Sequence, residues 1–237
     1  MILWKNRLRV MTKEVMLPLL PKSKSVIFLD LDGVVFDSYG LWDEVIEKVL
    51  ALANISYTQT IKKHLWRFNM VEAQAYLSAL FAKENLTYPE KKTQQLLEEA
   101  YQKISLMPQA VETLADLAEK DFLIYAVTSN YDDLAKIGLE SAGVLQYFSG
   151  IYSCIALGFP DKTEDFYQAV LETEALFDKT IFYLEDSTRH LKTAQKFGIQ
   201  GVYLSNTDNP QDNQEQAFRT IRHLKEFTTI VKEEMND

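Results

Sequence analysis

Carboxylate side chains stand directly after two of the apolar runs in this sequence. Asp30 and Asp32 follow one run in the segment FLDLDG. Glu185 and Asp186 follow another in the segment FYLED. Carboxylates gathered in one crevice repel each other strongly, and a hard divalent cation such as Mg²⁺, which prefers oxygen ligands, relieves that repulsion. The two pairs therefore predict a magnesium site, provided that the fold brings the ends of both apolar runs close together.

Other polar residues at the ends of apolar runs could act on a phosphoryl group. Thr128 and Ser129 follow a third run; a hydroxyl there donates to a phosphoryl oxygen or caps the next helix, and the sequence leaves both open. Lys162, in GFPDKTEDFY, is the candidate positive charge for the crevice, with a solvated surface lysine as the alternative. Gly33 permits a tight turn that exposes Asp30 and Asp32.

The elements that must position these residues alternate along the chain. Strands alternating with single helices imply right-handed crossovers and a parallel sheet. Ligands bind outside the carboxyl ends of such strands, where the polar residues above fall. Strands are predicted at residues 25–30, 122–128, 151–154, 180–184 and 201–204. Helices are predicted at residues 108–120, 132–142, 163–171 and 188–197.

One segment interrupts the alternation. Residues 39–106 contain no convincing strand and show helical periodicity, which predicts an inserted domain of about four helices. The core domain then comprises residues 25–38 and 107–237, after an N-terminal extension at 1–24. After Asn209 a final amphipathic helix is predicted from apolar residues on one face. These residues are Phe218, Ile221, Leu224, Phe227 and Val231.

Composition excludes several classes of protein. The chain has 237 residues and a formal net charge of −9, which disfavours binding to a nucleic acid polymer. A single cysteine, Cys154, excludes a disulfide framework and a cysteine-rich zinc site, and indicates the cytoplasm. No apolar run approaches a membrane span. Met1 and Met11 are both possible starts, and the protein is expected to be a monomer or a dimer.

Four motifs in order resemble the haloacid dehalogenase (HAD) superfamily, and its phosphatase branch in particular. They are DLDGVVFDS at 30–38, the strand ending in Thr128, the lysine Lys162, and EDS at 185–187. The helical insertion resembles the cap of β-phosphoglucomutase-like and nucleotidase-like members. Thr163 follows Lys162 where many relatives have proline, so a register one residue away stays open.

The resemblance implies a role for each candidate. Asp30 would attack phosphorus to form an aspartyl-phosphate, and Asp32 would protonate the leaving oxygen and then activate water. Mg²⁺ would be held by the Asp30 side chain, the Asp32 backbone carbonyl and Asp186, with Glu185 binding it directly or through another ligand. Substrate would be bound by Gly33, Thr128, Ser129 and Lys162.

The expected activity is a Mg²⁺-dependent phosphatase acting on a small phosphorylated metabolite. Asp32 favours phosphoryl transfer, because a departing halide needs no acid and the dehalogenases of the superfamily lack an aspartate there. A nucleotide, a sugar phosphate and phosphoglycolate are candidate substrates. Two alternatives stay open: a phosphosugar mutase, and a non-catalytic binding protein on the same scaffold. In the cap, Arg67 could bind a second anionic group and Trp42 and Trp66 could stack on a base, although solvation and packing also explain them.

Overall fold

A single six-stranded parallel sheet forms the centre of the molecule in the computed structural model, which describes residues 25–120, 122–205 and 217–236. The strand order is β3-β2-β1-β4-β5-β6. This confirms the predicted Rossmann-like α/β core; the predicted extension at 1–24 lies outside the described residues. The strands are β1 (Ser25–Leu29), β2 (Leu123–Thr128), β3 (Gly150–Ser153), β4 (Thr180–Glu185), β5 (Gln200–Leu204) and β6 (Arg219–Ile221).

Helices surround the sheet, and four of them lie in the predicted insertion. These four are α1 (Tyr39–Ala51), α2 (Gln59–Leu65), α3 (Met70–Lys83) and α4 (Glu90–Tyr101). The helices that follow are α5 (Ala110–Ala118), α6 (Asp132–Ser141), α7 (Glu164–Thr173), α8 (Thr188–Gln195) and α9 (Leu224–Asn236). No helix among the described residues is both long enough and apolar enough to cross a membrane.

The central strands β1, β2 and β4 are buried on both faces, which explains their continuous apolar runs. Along β1, Ile27 and Leu29 face a cluster that includes residues of α5, α6 and α9. The alternate residues Val26 and Phe28 face a second cluster built with α7 and α8. Successive side chains of a strand point to opposite faces, so the sheet is sandwiched between two helical layers.

The chain order reverses between β1 and β4, the neighbouring strands at the middle of the sheet. Leu29 pairs with Leu184, and the backbone N–H of Asp30 donates to the carbonyl of Leu184 at 3.0 Å. The residues that follow the two strands are therefore neighbours. Ligands bind in the crevice outside the carboxyl ends of strands at such a reversal, so the two acidic pairs meet where a site is expected.

The insertion is joined to the sheet by two chain segments that lie side by side. The N–H of Asp37 donates to the carbonyl of Ser105 at 2.9 Å, and the N–H of Met107 donates to the carbonyl of Val35 at 2.9 Å. Apolar side chains of the insertion, such as Val49, continue the buried cluster beneath it. The four helices therefore pack onto the end of the sheet that carries the acidic residues.

The predicted C-terminal helix is wrong at its beginning. Arg219–Ile221 forms β6, paired in parallel with β5, and the helix starts only at Leu224. Phe218 packs against one helical layer and Ile221 lies in the other, which is the alternation of a strand. A three-residue edge strand is too short to show a period of two, so in the sequence Phe218 and Ile221 resemble part of the apolar face of the following helix.

Candidate active site

A buried lysine lies between carboxylates from the two central strands. The ammonium Nζ of Lys162 donates to Asp30 Oδ1 at 2.5 Å and to Glu185 Oε2 at 2.7 Å. Its side chain is only 1% exposed, although it comes from the loop between β3 and α7. Lys162 thus reaches the crevice. It is a buried, ion-paired side chain and not a solvated surface lysine.

Three carboxylates converge beside this lysine. Side-chain oxygens of Asp30, Glu185 and Asp186 all lie within 4.8 Å of one another, and all three residues are buried. The oxygens of Glu185 are already engaged: Oε1 accepts the backbone N–H groups of Asp186 and Ser187 at 3.1 Å each, and Oε2 accepts from Lys162. Buried oxygen ligands at this spacing fit a hard divalent cation.

The charges of this cluster are unbalanced. Burial and the negative charges of Glu185 and Asp186 raise the pKa of Asp30 well above its ordinary value, against the opposing effect of Lys162. Burial would lower the pKa of Lys162, but Asp30 and Glu185 raise it above its usual range. Burial also opposes ionisation of Glu185, yet Lys162 lowers its pKa to about 2. Lys162 therefore faces three carboxylates, with the ring of His190 beside Glu185, and a further positive charge would stabilise the ionised form of Asp30.

Asp32 lies apart from the three-carboxylate group, with both of its oxygens hydrogen-bonded. The hydroxyl of Tyr101, at the end of α4, donates to Oδ1. The amide of Asn130, two residues after β2, donates to Oδ2 at 3.0 Å and also to the Tyr101 hydroxyl at 2.6 Å. The Asp32 carboxylate is thus held by one residue of the insertion and one of the core.

Thr128, Ser129 and Gly33 reach the same crevice. The Thr128 hydroxyl accepts the N–H of Asn130 at 3.0 Å, and Thr128 and Ser129 line the cavity described below. Gly33 has a φ of +82°, and a Cβ there would overlap Asp186 and the hydroxyl of Tyr39. The turn after β1 therefore needs glycine, both for its left-handed backbone and for the close approach of Asp186.

A network behind the lysine was not predicted from the sequence. Asp161 is contacted by Arg189 NH1 at 2.7 Å and by His190 Nε2 at 3.0 Å, and its Oδ1 accepts the N–H of Lys162 at 2.9 Å. The other ring nitrogen of His190 lies 3.4 Å from Glu185, without the geometry of a hydrogen bond. His190 is itself buried. The position of Asp161 directly before Lys162 was the one available sequence signal.

Two tyrosines at the ends of the insertion were also missed. Tyr39, the first residue of α1, donates its hydroxyl to Asp186, and Tyr101, the last residue of α4, donates to Asp32. Each partner lies far away in sequence, so no local pattern indicates these contacts. Both hydroxyls are contributed by the helical insertion to carboxylates at the end of the sheet.

A cavity of about 760 Å³ extends from these carboxylates into the insertion. Trp42 and Trp66 line it, whereas Arg67 is an exposed residue outside the lining. Asp30 and Asp32 lie in its floor, so a molecule in the cavity can contact both the candidate nucleophile and the insertion.

Residues 26–204 match the family model described as haloacid dehalogenase-like hydrolase. This match covers most of the chain, and the fold and the acidic crevice agree with it. The chain belongs to the haloacid dehalogenase-like hydrolase family. No curated protein sequence matches it significantly.

Solved structures of the superfamily share the fold at low sequence identity. YfnB of Bacillus subtilis, assigned to the HAD-hydrolases and bound to magnesium, is 21% identical, with a TM-score of 0.70 over 89% of this chain and 99% of that one. L-2-haloacid dehalogenase of Xanthobacter autotrophicus is 14% identical, with a TM-score of 0.67 over 88% and 98%. A HAD phosphatase of Thermococcus onnurineus is 17% identical, with a TM-score of 0.65 over 87% and 97%. These similarities establish the fold. The proteins compared include both a dehalogenase and a phosphatase.

Proposed function

We propose that this protein is a Mg²⁺-dependent phosphatase that hydrolyses a small phosphomonoester metabolite through an aspartyl-phosphate. The observation that carries the proposal is the convergence of Asp30, Asp186 and Lys162 at the carboxyl ends of β1 and β4. Phosphoryl transfer depends mainly on positioning and charge neutralisation, and this crevice offers a carboxylate nucleophile, a buried cation and acidic metal ligands together.

Asp30 is the proposed nucleophile. Its carboxylate attacks phosphorus while the bond from phosphorus to the leaving oxygen breaks, and Asp32 gives that oxygen a proton. Asp32 then takes a proton from the water that hydrolyses the aspartyl-phosphate. Lys162, Thr128 and the backbone around Gly33 and Ser129 would hold the phosphoryl oxygens during transfer.

Magnesium fits the donor set of the crevice. The side chains of Asp30 and Asp186 and the backbone carbonyl of Asp32 would hold it. Bound there, Mg²⁺ would neutralise charge on the phosphoryl group and on Asp30. Because the Glu185 oxygens already accept from Lys162 and two backbone N–H groups, Glu185 is assigned to orienting Lys162 and the loop that carries Asp186.

The insertion at residues 39–106 is the proposed cap domain, on a core of residues 25–38 and 107–237. Two observations support this division: the two chain segments that join the insertion to the core are hydrogen-bonded to each other, and aromatic residues of the insertion line the cavity that contains Asp30 and Asp32. A cap at this position excludes bulk water from the transfer and provides the pocket for the leaving group.

Phosphoryl chemistry is favoured over dehalogenation by the environment of Asp32. Attack on carbon with loss of halide requires no proton donor, yet here a second aspartate is held by Tyr101 and Asn130 at the same crevice. That arrangement suits a group that gives and takes a proton.

Replacement of the nucleophile tests this function. Asp30→Asn should lower kcat for hydrolysis of p-nitrophenyl phosphate with Mg²⁺ by more than about a thousandfold, as the loss of a covalent nucleophile does in other enzymes. Asp37→Asn is the matched control, because Asp37 lies in the same motif but is exposed; its kcat should stay within about threefold of wild type.

The result that rejects the proposal is wild-type turnover by the Asp30→Asn protein. Inorganic phosphate release must accompany the reaction: isomerised sugar phosphate without phosphate release would identify a mutase. Halide release from 2-haloacids without phosphatase activity would identify a dehalogenase.

A further inference from the structure

We propose that the cap cavity selects phosphomonoesters whose leaving group is an uncharged nucleoside. The inference rests on the proposed function, since it concerns the leaving group of the same reaction. It comes from three properties of the cavity: its size, its aromatic lining and the sign of its charges.

The size of the cavity exceeds the need of a small leaving group. Its volume of about 760 Å³ is continuous with Asp30 and Asp32. Pockets of this size bury most of the surface of a ligand with two linked rings, whereas a two-carbon glycolate would leave most of the volume to water. A phosphate seated over Asp30 therefore places a large leaving group beneath the insertion.

The lining of the cavity is rich in aromatic rings: Tyr39 is buried, and six others are half-buried. Stacking of a base on an aromatic side chain is favourable for every base, because each base has a π-face. Rings that are only half-buried keep apolar surface that a planar ligand can cover. The half-buried rings are Trp42, Tyr57, Trp66, Phe68, Tyr88 and Tyr131.

The charges of the lining oppose a second anionic group on the substrate. The cap contributes Glu90 and Glu98 to the lining, against Lys91, while the cap residue Asp43 is ion-paired with Lys62. On the core side, Lys162 is engaged by Asp30 and Glu185, and Arg189 by Asp161. The carboxylate of phosphoglycolate would therefore face acidic groups, whereas a neutral nucleoside would not.

Comparison of substrates that differ by one part tests the inference. We expect kcat/KM for uridine and adenosine 5′-monophosphates to exceed that for ribose 5-phosphate, which lacks only the base, by about tenfold or more. The value for 2-phosphoglycolate should be lower still. Equal values with and without the base, or a preference for 2-phosphoglycolate, would overturn the inference. Absence of hydrolysis of every phosphomonoester, including p-nitrophenyl phosphate, would instead reject the proposed function.

Variants of the lining locate the selectivity. Trp66→Leu should lower the ratio of kcat/KM for uridine monophosphate over ribose 5-phosphate about tenfold. Phe177→Leu, at an exposed ring away from the cavity, should leave this ratio unchanged. Glu98→Gln should raise kcat/KM for 2-phosphoglycolate relative to ribose 5-phosphate. An unchanged ratio in folded Trp66→Leu protein, with no gain in Glu98→Gln, contradicts the assignment; the wild-type comparison stands even if a variant does not fold.

Discussion

Asp32 owes its orientation to hydrogen bonds on both of its oxygens. Burial is the main cause, and the charge of Asp32 the second, that raises the pKa of Tyr101 well above its ordinary value. The Tyr101 hydroxyl therefore stays protonated at neutral pH. The same hydroxyl accepts from the indole Nε1 of Trp42 at 3.0 Å. Because Tyr101 and Trp42 belong to the insertion, one of the two hydrogen bonds that orient the proposed acid comes from the insertion and the other, from Asn130, comes from the core.

Removal of the Tyr101 hydroxyl should affect proton transfer selectively. Tyr101→Phe is expected to lower kcat/KM for alkyl phosphates about tenfold or more, because a misplaced acid protonates the leaving oxygen poorly. For p-nitrophenyl phosphate the loss should be smaller, since p-nitrophenolate leaves without a proton. The measurement is the ratio of the two kcat/KM values.

Tyr125→Phe is the matched control for that variant. Tyr125 donates its hydroxyl to Glu174 at 2.7 Å, away from the crevice, so both substrates should be affected equally and little. An equal loss for both substrates in Tyr101→Phe would show that the hydroxyl only supports the fold.

At the scale of elements, the strands and helices that can be predicted from the sequence are those whose burial produces a clear apolar pattern. β1 and β4 are recognisable because both faces are covered, so their apolar runs are unbroken. Asp30, Asp186 and Lys162 could be assigned to one crevice because the carboxyl ends of parallel strands lie at the same edge of the sheet. β6 could not be recognised because it has three residues, and Tyr39 and Tyr101 could not be placed because only the packing of the insertion brings them to their carboxylates.

The loop before α7 depends on the charge of Asp161. Burial opposes its ionisation, but His190 and Arg189 outweigh that effect and lower the pKa of Asp161 below its ordinary value. A lowered pKa in the folded state adds stability above the unfolded pKa, and that stability is lost as the pH falls through the acidic range. For His190, burial lowers the pKa, but Glu185 and Asp161 raise it overall, so the pair is charged in mildly acidic solution.

Asp161→Asn should therefore destabilise the protein in a pH-dependent way. At about pH 6 the free energy of unfolding should fall by about 1.5–3 kcal/mol, the value of hydrogen bonds to a charged group. The difference from wild type should shrink as the pH approaches about 3, where the aspartate is protonated in the unfolded chain. Urea unfolding at a series of pH values measures it. A difference that is constant over this range would contradict the account of Asp161.

At the scale of the whole molecule, one reversal of strand order and one insertion create the site. The reversal places Asp30 beside Glu185 and Asp186 at the end of the sheet. The insertion begins soon after β1 and rejoins the core beside its starting point. Its aromatic residues line the cavity above these carboxylates. The sheet thus provides the charged groups and the insertion the aromatic lining. The proposed division of roles assigns selectivity to the insertion, and the solved relatives of this hydrolase family include a dehalogenase and a phosphatase on one fold.

The most direct test of the central claim, a divalent cation held beside a nucleophilic aspartate, is the dependence of turnover on Mg²⁺. Initial rates of phosphate release should be measured with excess EDTA and then during titration with Mg²⁺. We predict that chelation abolishes turnover and that Mg²⁺ restores it along a saturable curve, because three buried carboxylates with one lysine need a further positive charge to admit an anionic phosphoryl group. Full turnover after complete removal of divalent cations would contradict the account.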